Sequence, residues 1–312
     1  MRAAYVATAA AMTVRDTHRL LLAWLTAAAM LLAGGCSIRQ AAVDRVADAV
    51  AEGGASYATD DDPELVRAAA PFSLKLTESL LTGTPRHKGL LLAATRGFTQ
   101  YAFAFVQQEA DEVEDRDVAV SVALQDRARR LYRRARDYGL RGLGLGQEEL
   151  RHEPRRTLAA LSRSEVGLLY WTGAAWGSLI GLSKSDPEAL AELPIVEAMI
   201  DRALELDEGY EHGAIHTLLI GYEMVRQGAA GDPAMRARRH FARSLELSAS
   251  ADAAPYVALA EAVCVPQQLR AEFQALLAEA LRVEGADNRL ANLVMQRRAR
   301  WLLARTDRLF ID

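Results

Sequence analysis

Two histidines, His212 and His216, come nearest in type and spacing to a metal site. Four positions apart on a helix, they would share one face and could offer two imidazole ligands to a zinc ion. No glutamate follows His212 as in the HExxH pattern, and no third ligand is apparent. The sequence therefore disfavours a metal at this pair, and we expect no cofactor.

Three glycines at alternate positions, Gly142, Gly144 and Gly146, resemble a phosphate-binding loop only superficially. The segment lacks the preceding strand and the lysine of such a loop, so we interpret it as an ordinary connection. No Ser-His-Asp, Cys-His or paired-carboxylate arrangement stands out elsewhere. These patterns predict a protein that is not an enzyme.

An acidic run at residues 109–117 is followed by an arginine-rich run at residues 127–136. A helical hairpin would set the two runs side by side, so we expect them to neutralise each other. Calcium binding is disfavoured because the acidic run lacks the glycine of an EF-hand loop. Nucleic-acid binding is disfavoured by the neighbouring acids and by the net charge of −4.

The N-terminal segment has the pattern of an export signal. Arg15 and Arg19 precede the uncharged run Leu20–Leu32, which is too short to span a bilayer as a mature helix. Small residues then lead to Cys36, as in the lipobox of bacterial lipoproteins. The pattern predicts cleavage before Cys36 and lipidation of that cysteine.

Two alternatives to this interpretation stay open. The lipobox usually has leucine where this chain has Ala33, so an ordinary cleaved signal with a chance cysteine is the first. The second is that Met12 rather than Met1 begins the chain. Export is expected under either alternative.

The composition favours helix over sheet. The 312 residues are 51% hydrophobic and 25% charged, with few β-branched residues and only nine prolines. The two cysteines cannot form a disulfide framework, and Cys264 lies in an apolar stretch typical of a small buried side chain. We expect an all-α protein.

Helical periodicity predicts a series of paired helices with short connections. The predicted helices are Leu65–Leu81, Gly89–Glu114, Asp117–Tyr138 ending at Gly139, Glu165–Leu182, Ile195–Leu206, Tyr210–Gln227, Pro233–Leu247, Pro255–Val263, Gln267–Val283 and Asp287–Arg305.

Several helices carry the pattern of a tetratricopeptide second helix, in which small, bulky and small residues follow one another at spacings of four and three. The four copies are Ala128-Tyr132-Ala135, Val196-Ile200-Ala203, Ala237-Phe241-Ser244 and Phe273-Leu277-Ala280. Their starting positions are irregularly spaced. The fold prediction is an irregular tetratricopeptide-like array of helical hairpins, an α-solenoid.

The uncharged segment Val166–Ser183 could be a membrane span, but its marginal length and an overlying repeat match favour a buried helix. Its glycines Gly173, Gly177 and Gly181 form a stripe for close packing. Together with Trp171 and Trp176, this stripe predicts that the helix lies near a contact between copies of the chain.

The segment at residues 98–105 is dense in aromatic residues. Phe98, Tyr101 and Phe105 share one helix face, whereas Phe103 points elsewhere. Core packing is one interpretation, and a surface for a ligand or a partner is the other. We expect Phe98 and Tyr101 in the core and Phe103 at an apolar channel.

Four segments together resemble the TatT family, the T-component proteins associated with TRAP transporters. They are Tyr57–Arg67 (YATDDDPELVR), Gly97–Val106 (GFTQYAFAFV), Ala128–Gly139 (ARRLYRRARDYG) and Tyr170–Gly177 (YWTGAAWG), within a similarity from about Ala55 to Arg300. The resemblance implies a periplasmic lipoprotein of degenerate tetratricopeptide repeats that assembles as a trimer. It also implies, as partner, the substrate-binding P-component of a TRAP system, and a small hydrophobic ligand.

The expected organisation is a lipoprotein signal at residues 1–35, a tether with a short helix at 36–56 and a single helical repeat domain at 57–312. The expected function is that of a non-catalytic accessory of a TRAP uptake system, anchored by lipid to the outer membrane. The ligand or partner surface would comprise Phe98, Tyr101, Phe103, Phe105, Trp171 and Trp176. The alternative function is a general scaffold for envelope or outer-membrane assembly.

Overall fold

The computed structural model describes residues 45–50 and 55–311. The expected signal at residues 1–35 and the lipidated Cys36 lie outside these ranges, as does much of the expected tether. The chain divides into two units, residues 1–46 and residues 47–312. Residues 45–50 form a short helix.

Ten main helices make up most of the second unit. They are α1 Pro63–Gly83, α2 Lys88–Tyr101, α3 Val118–Leu143, α4 Val166–Gly181, α5 Leu193–Leu206, α6 Ala214–Tyr222, α7 Pro233–Leu247, α8 Ala254–Leu259, α9 Arg270–Arg282 and α10 Arg289–Ala304. No strand occurs in the ranges that the structure covers, which confirms the all-α prediction.

Shorter helical segments extend or connect the ten. Helix α2 continues through a π-helical turn, Ala102–Gln107, into Gln108–Val113, and α8 continues through a second π-helical turn, Ala260–Cys264. The remaining short helical segments are Ala55–Ala58, Gln147–His152, Pro154–Leu158, Arg163–Glu165, Pro187–Leu190, Tyr210–Gly213 and Thr306–Leu309.

Helices that follow one another along the chain pack as neighbours. The pairs are α1 with α2, α2 with α3, α3 with α4, α4 with α5, α6 with α7, α8 with α9 and α9 with α10. Helix α10 then contacts α1 again, so the last hairpin packs back against the first. The residues of the four repeat matches are buried, except for the half-buried Phe241. The identity of these hairpins as tetratricopeptide repeats stays a prediction.

The start of α1 shows why local sequence fixes these helices. The carboxylate of Asp62 accepts hydrogen bonds from the backbone N–H groups of Glu64 and Leu65, at 3.1 and 3.0 Å. Pro63 occupies the first helical turn, where its missing N–H costs no hydrogen bond. Side-chain capping and proline geometry therefore start the helix at this point.

The predicted end of α3 at Gly139 is wrong. The helix runs to Leu143 and ends at Gly144, which takes the left-handed conformation with φ of 69°. Gly139 instead permits close packing, because a Cβ there would lie 2.0 Å from Oγ1 of Thr172 in α4. Gly142 likewise lies inside the helix, against Leu168, and is not part of a loop.

The predicted pairing of the acidic and arginine-rich runs is also wrong. Carboxylates of the acidic run pair with the C-terminal part of the chain, at 2.6 Å both from Glu112 to Arg297 and from Asp111 to Arg298. Asp115 pairs with Arg305 and Arg308. These ion pairs join the end of the first long hairpin to α10 and to the turn that follows it. In α3, Arg129, Arg134 and Arg136 pair instead with Asp126, Glu78 and Asp137.

Candidate functional site

The predicted surface residues lie mostly in the core. Side chains of Phe98, Tyr101, Phe105, Trp171 and Trp176 are buried, with Trp176 fully so. Phe103 is the exception: it is half-buried and packs against the core that contains Phe98, Tyr101 and Phe105. Phe103 therefore differs from the other five rings in burial, and its place at an apolar channel stays a prediction.

The π-helical turn Ala102–Gln107 runs through the aromatic segment and contains Phe103. A π-helical turn widens the helix by one residue, and such turns occur frequently at functional sites. Next to the turn, the amide of Gln108 is fully buried without a hydrogen-bond partner for either Nε2 or Oε1. The hydroxyl of Tyr132 donates to Oε1 of Gln107 at 2.6 Å.

The indole of Trp176 belongs to a tightly bonded corner of the core. Its Nε1 donates to Oε2 of Glu192 at 2.7 Å. The other oxygen of Glu192 accepts from Gln147 and from Arg151, both at 2.6 Å. Burial alone would raise the pKa of Glu192, but these three hydrogen bonds outweigh it and hold the pKa below its ordinary value.

The indole of Trp171, on the same helix, belongs to a looser corner that the sequence did not predict. One oxygen, Oε1 of Glu211, is approached by three donors. They are the indole Nε1 of Trp171 at 3.4 Å, the hydroxyl of Tyr210 at 3.0 Å and the guanidinium of Arg96 at 3.3 Å. The Arg96 guanidinium also lies over the Trp171 ring, 5.6 Å from its centroid.

Aromatic side chains pack around this corner. The ring centroid of Tyr170 lies 5.0 Å from that of Trp171, in an edge-on contact, and 5.5 Å from that of Tyr210. Gly167 leaves room for Tyr210, since a Cβ there would lie 3.0 Å from the hydroxyl. Burial and then the charge of Glu211 raise the pKa of Tyr210, so its hydroxyl keeps the proton that it donates.

Glu211 lies on a strained turn. Glu211, His212 and Gly213 have φ of 42°, 56° and 90°, so three consecutive residues take the left-handed conformation. Only glycine adopts this conformation without strain, and the two other residues oppose it sterically. Gly209 before the turn and Gly213 within it are the sequence signal that could have revealed the turn.

The same turn separates the two histidines considered for a metal site. Helix α6 begins at Ala214, so His212 is not on a helical face with His216. The Nδ1 atom of His216 instead lies 2.8 Å from Nδ1 of His240 in α7. No cluster of three metal-ligating side chains occurs in the part of the chain that the structure describes.

The glycine stripe of α4 packs mainly within the chain. A Cβ on Gly173 would lie 2.6 Å from Cδ1 of Ile200, and one on Gly177 would lie 3.4 Å from Val196. Helix α5 therefore covers these two glycines, whereas Gly181 faces open space. Within the described ranges, no helix is long and apolar enough to cross a membrane, and α4 is largely buried.

Apolar side chains are exposed on two helices of the first hairpins. On α1, Leu65, Phe72 and Leu76 follow one another along one face, and Phe72 is 73% exposed. We call these three side chains the α1 stripe. At the start of α3, Val118, Val120 and Val122 are also exposed, and Ser121 is the buried residue among them.

Two surface clefts lie between the short helix Pro154–Leu158 and α5. Arg155 lines both, with Glu197 in one and Asp201 in the other. None of the predicted aromatic residues lines either cleft.

Two other regions are better suited to binding. The α1 stripe is an exposed apolar surface for association, and the donors that converge on Glu211 are suited to an anion.

Comparison with known proteins assigns the family. Over 310 residues the chain is 28% identical to an uncharacterized protein of Treponema pallidum (strain Nichols), covering 91% of this chain and 96% of that protein. The family model described as TRAP transporter T-component matches residues 59–310. The match covers nearly all of the helical unit, so the chain belongs to the family of TRAP transporter T-component proteins.

Proposed function

We propose that this protein is a non-catalytic accessory of a TRAP-type solute uptake system that docks the system's substrate-binding protein. Membership of the T-component family supports the link to TRAP transport. The observation that carries docking is the α1 stripe, whose ring of Phe72 is 73% exposed. Large exposed rings are costly in water and are typical anchors of protein interfaces.

The α1 stripe has the chemistry of an interface centre. Burying a large apolar side chain contributes about 1.5–3 kcal/mol, so Leu65, Phe72 and Leu76 together could supply a substantial part of a docking energy. Two charged side chains, Glu64 and Lys75, are exposed on the same helix, each next in sequence to a residue of the stripe. An apolar centre with a polar rim is the usual anatomy of such a contact.

The proposal includes a lipid anchor on Cys36 that holds the protein at the periplasmic face of the outer membrane. The export signal and the lipobox-like residues before Cys36 support it. More than one acyl chain gives stable anchoring, because each buried CH₂ adds about 0.8 kcal/mol. Cys36→Ser should release the protein from membranes, and retention in the pellet after a salt wash would argue against the anchor.

The proposal also includes a homotrimer and a small hydrophobic ligand. The half-buried Phe103 and the π-helical turn around it support a ligand near the aromatic segment. Phe98, Tyr101 and Phe105, which belong to the core that Phe103 packs against, would support that region. Light scattering of the purified protein at micromolar concentration should give three times the mass of one chain.

Affinity capture from membranes tests the docking proposal. We expect the tagged protein to retain the TRAP substrate-binding protein, and Phe72→Asp to lose it. Met235→Asp is the matched control, since Met235 is 60% exposed on α7, away from the α1 stripe. Capture of barrel-assembly or secretion proteins instead would favour the envelope scaffold. If Phe72→Asp dissociates the oligomer and still retains the partner, the stripe is a contact between copies.

A further inference from the structure

We propose that the corner formed by Arg96, Trp171 and Tyr210 is a binding site for a small carboxylate, and that Glu211 occupies it as an internal substitute. The proposal rests on which atoms converge there, how loosely they hold Glu211 and how the backbone presents it. It goes beyond docking, because it gives the protein a ligand of defined chemistry.

Three donors from separate elements converge on one carboxylate oxygen. Arg96 comes from α2, Trp171 from α4 and Tyr210 from the turn before α6, and each approaches Oε1 of Glu211. A guanidinium and an indole N–H are donors without an acceptor role, and the phenol of Tyr210 donates its proton to the same oxygen. A carboxylate can accept from all three donors at once.

The bonds that hold Glu211 are long for a charged pair. Charge-assisted N–H···O bonds are typically about 2.7–2.9 Å, and arginine commonly grips a carboxylate with two bonds. Arg96 reaches Glu211 at 3.3 Å and Trp171 reaches it at 3.4 Å. By contrast, Trp176 and Arg151 reach Glu192 at 2.7 and 2.6 Å. The donors around Glu211 therefore have unused bonding capacity that a better-placed carboxylate could take.

The backbone also favours displacement of Glu211. Glu211 and His212 are held in the left-handed conformation that side chains other than glycine resist. The Glu211 side chain is 29% exposed and that of Arg96 is 41% exposed, so an anion from solvent can reach the guanidinium. If residues 211–213 relax, Glu211 can leave the corner, while Tyr170 still packs against Trp171 and Tyr210.

The rings of the corner define the ligand further. The rings of Trp171 and Tyr210 lie beside the charged group and pack on Tyr170, and this aromatic setting suits a carboxylate carried on a short apolar body. Propionate has these two parts and is the probe that we choose. A free anion competes with Glu211 for the same three donors, so removing Glu211 should strengthen its binding.

The test measures propionate binding to the purified chain through tryptophan fluorescence, at constant ionic strength. We expect Glu211→Ala to bind propionate at least tenfold more tightly than the unchanged protein. Adding Arg96→Ala to that variant should abolish the gain. Asp207→Ala is the matched control, because it breaks the nearby exposed Arg163–Asp207 pair and leaves the corner intact.

Glu211→Gly guards against a folding artefact, because glycine accepts the left-handed conformation without strain. This variant should bind propionate as Glu211→Ala does and should unfold at no lower temperature than the unchanged protein. Equal affinity in the unchanged protein and in both Glu211 variants would overturn the proposal. Tight binding that survives Arg96→Ala would overturn it as well.

Discussion

Helix α4 carries two tryptophans, and the indole of each donates to a glutamate that also pairs with an arginine. The two glutamates differ in burial and in the length of their bonds. At Trp176, Glu192 is buried and all three bonds to it are 2.6–2.7 Å long. At Trp171, Glu211 is partly exposed and three donors crowd one oxygen at 3.0–3.4 Å. Arginines lie over both rings, Arg136 over Trp176 and Arg96 over Trp171.

The comparison teaches that residue types alone do not distinguish a structural bond from an available site. Both corners contain Trp, Glu and Arg, and the difference lies in where the glutamate is carried. Glu192 immediately precedes α5, where ordinary helical geometry holds it, whereas Glu211 is carried by a left-handed turn. Short bonds in a relaxed setting stabilise the fold, and long bonds in a strained setting leave donors for other acceptors.

The same comparison of two neighbouring sites applies to the aromatic segment, where Phe98 is buried and Phe103 is half-buried. We expect the largest change in stability there. Phe98→Ala should lower the free energy of unfolding by about 3–5 kcal/mol, because it leaves a cavity in the core. Phe103→Ala should cost much less, because one side of the ring is already free of packed neighbours. Urea unfolding of both variants measures the difference, and equal losses would place Phe103 in the core.

The next effect separates the two glutamates directly. Glu192→Ala should lower the free energy of unfolding by about 2–3 kcal/mol, since it removes a charged acceptor and leaves the buried Trp176 N–H unpaired. Glu211→Ala should cost less than about 1 kcal/mol, because its bonds are long and its backbone is strained. Thermal or urea unfolding compares them. A larger loss for Glu211→Ala would reverse the assignment of the two corners.

The smallest effect is the dependence of stability on acid. The pKa of Glu192 in the folded protein lies below its ordinary value of 4.5, so its stabilisation is present above about pH 4.5 and is lost as the pH falls through the folded value. The difference in unfolding free energy between the unchanged protein and Glu192→Gln should therefore shrink below about pH 4.5. A difference that stays constant from about pH 7 to about pH 3 would contradict this role.

Much of the fold could be predicted from local sequence. The range of α7, Pro233–Leu247, agrees with the prediction, and α1 starts at Pro63, two residues before the predicted Leu65, because capping side chains and proline act within a few residues. The burial of Cys264 agrees for a similar reason, since its neighbours are apolar. The prediction that α3 ends at Gly139 was wrong because a glycine can either end a helix or allow a neighbouring helix to pack closely. Here Gly139 packs against Thr172 of α4, and this contact is not visible in the local sequence.

Long-range pairing could not be predicted in this way. Glu112 and Arg297 are 185 residues apart, and nothing near either one indicates the other. The corner at Glu211 has the same origin, since its donors come from three separate elements. His212 shows the local limit: the spacing to His216 suggested one helical face, but the left-handed turn places the helix start between them.

Solution binding of the TRAP substrate-binding protein tests the central claim most directly. Titration calorimetry with the purified chain should show a one-to-one complex per protomer, and Phe72→Asp should weaken it at least tenfold. Met235→Asp, which alters a similarly exposed apolar side chain on α7, should leave the affinity unchanged. Absence of binding by the unchanged protein, or equal affinity for Phe72→Asp, would contradict docking through the α1 stripe.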